Sequence, residues 1–257
     1  REHVSERVRQ GIRSPGFSLT MQPNSVELDT WLTRILGGAE SPADNFPLAE
    51  TVGTFTAFLF LNLDSASTWR RWVGESAKVS KARFFATQGG PLNLTIDVEC
   101  PDLIPDTTAP AAVSISTVGP YMFYDTTATG GDLAINGSTL KFFDWALEID
   151  NALKMDRHMN AQTRASLPEM DRTITWNLDG PYGDNVGLWA LAVAGVVANA
   201  KFVLVNRSLQ FNSTKVTFPR LPPTLSGRDE VRLPLIGIAR KDGSTASLTT
   251  TNDSNPA

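Results

Sequence analysis

Few groups in this chain could carry chemistry. Its 257 residues include two histidines, His3 and His158, and one cysteine, Cys100. No Ser-His-Asp triad or His-rich metal site can be assembled from that stock. G-x-S-x-G, P-loop, C-x-x-C and H-E-x-x-H spacings are also missing. A lone cysteine builds no intrachain disulfide framework and suits a reducing compartment, so Cys100 reads as a buried thiol. What remains is a set of carboxylates at alternating positions: Asp97 and Glu99 in one run, Asp144, Glu148 and Asp150 in another. On a strand, such positions form a row spaced about 6 to 7 Å, whereas a calcium loop needs oxygens that converge on one point. Three readings stand for the row: a solvated face, the face of a conduit, and, last, a metal site. No catalytic residue, cofactor or metal is expected.

The element that must position these acids is Lys141 to Asn151, KFFDWALEIDN. Taken alternately, Phe143, Trp145, Leu147 and Ile149 fall on one side and Asp144, Ala146, Glu148 and Asp150 on the other. That is the period of a half-buried strand. A helix would instead crowd Asp144 against Glu148 at i,i+4. The same alternation appears in Leu92 to Glu99 and in Ile174 to Asp179.

Composition narrows the class. The chain is 41% hydrophobic and 19% charged with a net charge of -4, and no apolar run approaches the ~18 residues that span a bilayer. An acidic balance argues against a general nucleic-acid binder, which shows a basic face. The first residues, REHVSERVRQ, lack the apolar stretch of a signal peptide; a start at Arg leaves room for a removed upstream segment. The Asn-x-Ser/Thr sequons at Asn93, Asn136, Asn206 and Asn212 read as coincidence in an Asn/Ser/Thr-rich β protein. Trp31, Trp145, Trp176 and Trp189 sit in apolar patterns and read as core, while Trp69 and Trp72, flanking Arg70 and Arg71 in a turn region, are interface candidates.

Along the chain, residues 1–15 read as a flexible arm. Residues 16–104 form a first β domain: a strand from Gly16, a helix capped by Asn24 with Glu27 and stopped at Gly37, a loop over 39–50, and strands at 54–62, 78–87 and 92–98. Phe58 and Phe60 make the strand at 54–62 apolar on both faces, so it is expected to be covered on both sides, by the helix or by a neighbouring subunit. Residues 105–119 are a proline-punctuated linker. The second β domain, 120–251, opens with Tyr121 to Tyr124. It then has an Asn136-Gly137 hairpin, the strand of Asp144, a long loop over 152–170, a strand at 174–178, and a helix from Asp184 or Asn185 to Gly195. Further strands follow at 201–205, 208–218, 231–239 and 246–250, before a frayed tail at 252–257. Pro23, Trp31 and Gly37 recur 158 residues later as Pro181, Trp189 and Gly195, which points to a duplicated domain.

Several stretches add a resemblance: PGFSLTMQPNSVELDTWLTRILGG, PLAETV, ATQGGPLNLTIDVE, PYMFYD, FFDWALEIDNAL, ASLPEMDR and EVRLPLIGIARKDGS. From about Gly16 to Ser244 the chain resembles the tail tube proteins of long-tailed bacteriophages, in the larger form with two tube domains. The resemblance implies a mainly β fold of duplicated β-sandwich or half-barrel domains, each with one short helix. It implies a structural virion protein, not an enzyme, assembled in the bacterial host cytoplasm and independent of membranes. Three copies would form a ring of pseudo-sixfold symmetry by joining sheet edges, and rings would stack into a tube through which DNA passes without specific binding. Tape measure and terminator proteins of the tail would be further partners.

On that view Asp97, Glu99, Asp144, Glu148 and Asp150 line the channel. The long loop, with Met155, Arg157, His158, Met159 and Arg164, makes contacts between rings. One departure stands out: ahead of Phe17 the first half has no counterpart of Tyr121 to Asn151. A two-domain β-sandwich adhesin or carbohydrate-binding protein is the alternative.

Overall fold

The computed structural model describes residues 13–42, 44–62, 69–87, 90–106, 132–159, 161–204, 209–219, 223 and 231–252. The expected arm to residue 12, most of the linker, the Tyr121 to Tyr124 segment and the tail from 253 lie outside the described residues. The chain is mainly β. In order it forms β1 (Gly16–Met21), α1 (Ser25–Leu36), β2 (Asn45–Phe46), β3 (Phe55–Asn62), β4 (Trp69–Thr87), β5 (Asn93–Glu99) and β6 (Ile104–Asp106). Next come β7 (Asp132–Ile135), β8 (Ser138–Thr139), β9 (Asp144–Asp150) and β10 (Thr173–Pro181). A 3-10 turn at Gly183–Asn185 leads to α2 (Val186–Ala194), β11 (Ala198–Leu204), β12 (Leu209–Thr217), β13 (Arg232–Ala239) and β14 (Thr249–Thr251).

All pairings between strands are antiparallel, and one sheet path runs β1-β5-β4-β9-β10-β13-β12-β11-β7-β8. β4 is the long member. Its first half pairs with β3 and β6 as a three-stranded ribbon, and its second half lies between β5 and β9. The strand β9 therefore joins the first half of the chain to the second, pairing with β4 on one side and β10 on the other.

Six elements recur with the same connectivity. In the first half a strand (β1) leads through a helix to β3, β4, β5 and the short β6; in the second, β10 leads through α2 to β11, β12, β13 and the short β14. The first strand pairs with the fifth element of each set (β1 with β5, β10 with β13), and that one with the fourth (β5 with β4, β13 with β12). The fourth then pairs with both the third and the short last strand.

Local chemistry explains the ends. Asn24 Oδ1 accepts from the backbone N–H of Glu27 at 2.9 Å, capping α1. Gly37 ends it in the left-handed region at φ 85°, where a Cβ would also meet the Thr51 carbonyl. Asn136 and Gly137, at φ 49° and 77°, make the two-residue turn between β7 and β8.

The core is shared by both halves. Trp145 of β9 stacks on Phe202 of β11 at 3.9 Å between ring centroids, and Phe84 of β4 meets Phe211 of β12 at 4.7 Å. Trp176 Nε1 donates to Ser213 Oγ at 3.0 Å, so the indole is buried without an orphan donor. The side chain of Asn151 is fully buried at the end of β9. Its Nδ2 donates to the carbonyls of Ile35 and Val79, and its Oδ1 accepts from Arg172 Nε.

Several expectations need correction. Phe143 is not core: the chain enters β9 only at Asp144, Phe142 is the buried ring, and Phe143 lies half-buried under the Arg232 guanidinium. Residues 69–77 are not a turn but the first half of β4, because β3 supplies a partner for every residue there save a bulge. Trp31 and Trp189 are only half-buried. The loop over 39–50 contains β2, and the stretch after Pro101 contains β6. Leu19 is 39% exposed although it shares a face with Phe17 and Met21. Asn252, assigned to a frayed tail, is fully buried, and its Nδ2 donates to the Ser25 carbonyl.

Candidate functional site

The alternation read from single strands becomes a surface once the registers are known. Ser18, Asp97, Lys81, Asp150 and Thr173 form one cross-strand rung. Thr20, Thr95, Arg83, Glu148, Thr175 and Ile238 form the next. Beyond them run Asn93, Phe85, Ala146, Asn177 and Ile236, then Thr87, Asp144, Asp179 and Pro234. The other face of these strands carries Phe84, Leu94, Ile96, Leu147, Ile149, Trp176 and Leu235, all buried. Burying such side chains contributes about 1.5 to 3 kcal/mol each, which fixes the rungs outward.

The surface mixes both signs of charge and keeps an acidic excess. Sequence reasoning found its carboxylates but missed its cations, Lys81 and Arg83, which β4 lays between β5 and β9. Lys81 Nζ lies 3.0 Å from Asp150 Oδ2 and 3.9 Å from Glu148 Oε1. The hydrogen bond that Lys81 donates to Asp150, then the Asp150 charge and those of Glu148 and Asp97, hold the Lys81 ammonium above its ordinary pKa despite partial burial. At the far end Arg232 donates to Asp179 at 2.7 Å. The alternation Lys81, Arg83, Phe85, Thr87 was legible in β4; that β9 would be its neighbour was not.

Glu99 and Arg164 leave the exposed set together. The Arg164 side chain, 3% exposed, donates to Glu99 Oε2 at 2.7 Å and to the Cys100 carbonyl. This pair ties the long loop to the end of β5, and removing one member would strand a buried charge. Cys100 beside it is fully buried. Burial, with help from the Glu99 carboxylate and against the Arg164 charge, pushes its thiol up to about 11. That is the chemistry of an inert thiol.

Elsewhere the loop buries Leu153 and Leu167 in a small cluster with Val52 and turns its methionines outward. Met155 is 38% exposed and Met159 63%, with Met170 at 64%, while Arg157 and His158 are half-buried. The loop is anchored at its base by Lys78 Nζ, which donates to Glu169 Oε1 at 2.6 Å. Burial would raise the Glu169 carboxyl, but the Lys78 bond, backbone donors including Val52 and the ammonium charge bring it below its ordinary value.

Two open hollows mark the surface. One, of about 340 Å³, lies on the outward rungs over Ala146, walled by Phe85, Asn177, Asp144 and Ile236. The other, of about 450 Å³, lies where the ribbon meets the loop, beside Glu75, Lys78, Asp102 and Leu167. Among the described residues no group of three or more His, Cys, Asp or Glu side chains could hold a metal, and no helix is long and apolar enough to cross a membrane.

Compared with known families, residues 4–251 match the model of the phage tail tube protein. No curated protein matches the chain.

Proposed function

We propose a role that takes the family as its premise: the chain belongs to the phage tail tube proteins, and so is a structural component of a virion tail that self-assembles with other tail proteins. Three copies form a ring in which the two six-element halves of each chain take quasi-equivalent places, giving pseudo-sixfold symmetry. The ring closes through strand edges. Among the described residues β1 is paired on one side only, by β5, and β13 from Arg232 to Gly237 only by β10. Open edges are a hazard in a monomer and a joining surface in an assembly. A head-to-tail contact that closes makes a ring, and stacked rings make a tube.

The outward rungs line the bore, with Asp97, Asp144, Glu148 and Asp150 facing DNA. A duplex carries about one negative charge per 1.7 Å, so a basic wall would hold it, while a compensated wall with a slight acidic excess lets it slide. The loop with Met155, Arg157, His158 and Met159 reaches the adjacent ring; Arg164 anchors it. Tape measure and terminator proteins meet the ends of this assembly, which forms in the host cytoplasm.

The observation that carries the reading is the single wide sheet with one polar face and unpaired edges, in a member of a tube-forming family. Negative-stain microscopy and light scattering of the purified protein test it. Threefold rings or tubes of constant bore are the expected result. A strict monomer at all concentrations, with no rings, would overturn it.

A further inference from the structure

The two helices are covered differently. α1 buries Leu28, Leu32, Ile35 and Leu36 and turns Glu27 and Thr30 to solvent. α2, VGLWALAVA, is apolar all round yet buries only Leu188 and Ala192. Val186 is 48% exposed, Val193 45%, Val196 44% and Val197 42%. An uncharged helix with most of its surface open is one whose partner is missing.

What covers α1 shows what α2 lacks. The last turn of α1 lies under residues 37–54, where Ala49 N donates to the Leu36 carbonyl and Phe46 is buried. That segment carries β2, which pairs with β14 of the second half, and Asn252 just beyond β14 bonds Ser25 of α1. So the helix of the first half is closed by the short strand of the second. Between α2 and β11 there are only residues 195–197, so no such segment exists and the valines stay open.

The counterpart of β14 in the first half is β6, and its ribbon carries the matching open surface. Phe58, Val73 and Ile104 form one cross-strand row. Phe58 is 51% and Ile104 52% exposed. Among the described residues the one cation on this face is Arg71, which lies 4.9 Å over the Phe58 ring and is paired with Asp106. The row itself is apolar and open at Phe58 and Ile104, which gives it the chemistry of the α2 surface.

We propose that the β3–β4–β6 ribbon of a second copy of this chain seats on α2, with Phe58 and Ile104 packing against Val193, Val196 and Val197. The inference rests on the ring reading above and specifies its contact: around a ring, the helix of each half is closed by the short last strand of the half that follows. Within the chain this is α1 with β14. Between chains it is α2 with β6.

The test is a cysteine pair, Val196→Cys with Ile104→Cys, oxidised in the assembled protein. Buried Cys100, with its thiol at about 11, stays out of the exchange. Covalent trimers from the double variant and none from either single variant are expected. Rings without cross-links, or a bridge closed inside one chain, overturn this contact and leave the ring reading standing. A wild type that stays monomeric removes both.

A second arm needs no new bond. Val193→Asp with Val196→Asp raises the concentration for half-assembly by about tenfold or more, with unchanged circular dichroism. Val26→Asp on α1, where the valine is 46% exposed, leaves it unchanged. Equal assembly by the α2 variant and the wild type would sink the proposal.

Discussion

The two six-element halves have the same connectivity and differ in what finishes them. In the first half, β4 runs on for 19 residues, long enough to pair with a ribbon at one end and with β9 at the other. Its counterpart β12 has 9 residues and touches β13 only at Val216 and Thr217. The first half also owns the segment that covers its helix, and the second does not. A chain with two identical halves would present the same surfaces twice and could stop at any number of copies. On the contact proposed above, one whose halves differ closes the first helix within the chain and leaves the second to a neighbour, which gives assembly a direction.

The largest expected effect tests whether the halves fold as one body. Trp145 sits on β9 between them, 1% exposed, stacked on Phe202 and 6.2 Å from Trp176. Trp145→Ala should cost about 3 to 5 kcal/mol, the usual range for emptying such a site. Denaturant unfolding should show one transition moved as a whole. Two transitions, with only one displaced, would mean that the halves are independent units and that the comparison is between domains.

A smaller effect separates the two helix anchors. Asn151 holds the end of α1 to β4 through two carbonyls and receives Arg172 Nε at 2.6 Å. Arg172 in turn donates to the Ala49 carbonyl at 2.8 Å, and burial pushes its guanidinium pKa down despite the Glu169 charge. Asn151→Ala leaves those groups unpaired and should cost about 2 to 4 kcal/mol. Asn185, at the start of α2, donates to the Lys141 and Pro181 carbonyls and receives no such cation. Asn185→Ala should cost about 1 to 2 kcal/mol. Equal losses in thermal or urea unfolding would erase the distinction.

How much of this could be read beforehand follows from the range of each force. Alternation and capping act over a few residues, so the strand of Trp145, the α1 boundaries from Asn24 to Gly37 and the Asn136-Gly137 turn were all legible. The apolar pattern of Phe58 and Phe60 was visible too. Pairing between distant strands was not, because nothing local in Lys81 or Glu148 states that β4 lies beside β9. That is why the carboxylates were found and their cations missed, and why Arg164 looked like a free surface arginine. The isolated positions of Phe142 and Phe143 gave no sign of which ring would turn inward, since the choice depends on Phe143 N donating to the Asp179 carbonyl at 2.7 Å.

The smallest effect on stability sharpens a second contrast between the halves, on the outward face. The β5–β4–β9 side presents Asp97, Lys81, Arg83, Glu148 and Asp150, whereas the β10–β13 side presents Thr175, Asn177, Ile236 and Ile238, with one self-balancing pair, Asp179 with Arg232, at its end. If this face is the bore, its charge balance is set on one side. Glu148→Lys with Asp150→Lys removes the two acids that form ion pairs with Lys81 and places like charges directly opposite Lys81 and Arg83. Exposed substitutions usually shift stability by about 0.5 kcal/mol or less, and facing like charges add a few tenths, so rings should still form. Genome ejection should slow at low salt, and the defect should shrink as salt rises, because phosphate contacts release counterions. Thr175→Lys on the neutral side adds one charge and leaves Lys81 paired with its acids, so it should slow ejection less. Normal ejection by the double variant in low salt would place this face on the outer wall. An equal defect from Thr175→Lys, a change of one charge against four, would show that the acids of the β5–β4–β9 side have no special part in the rate.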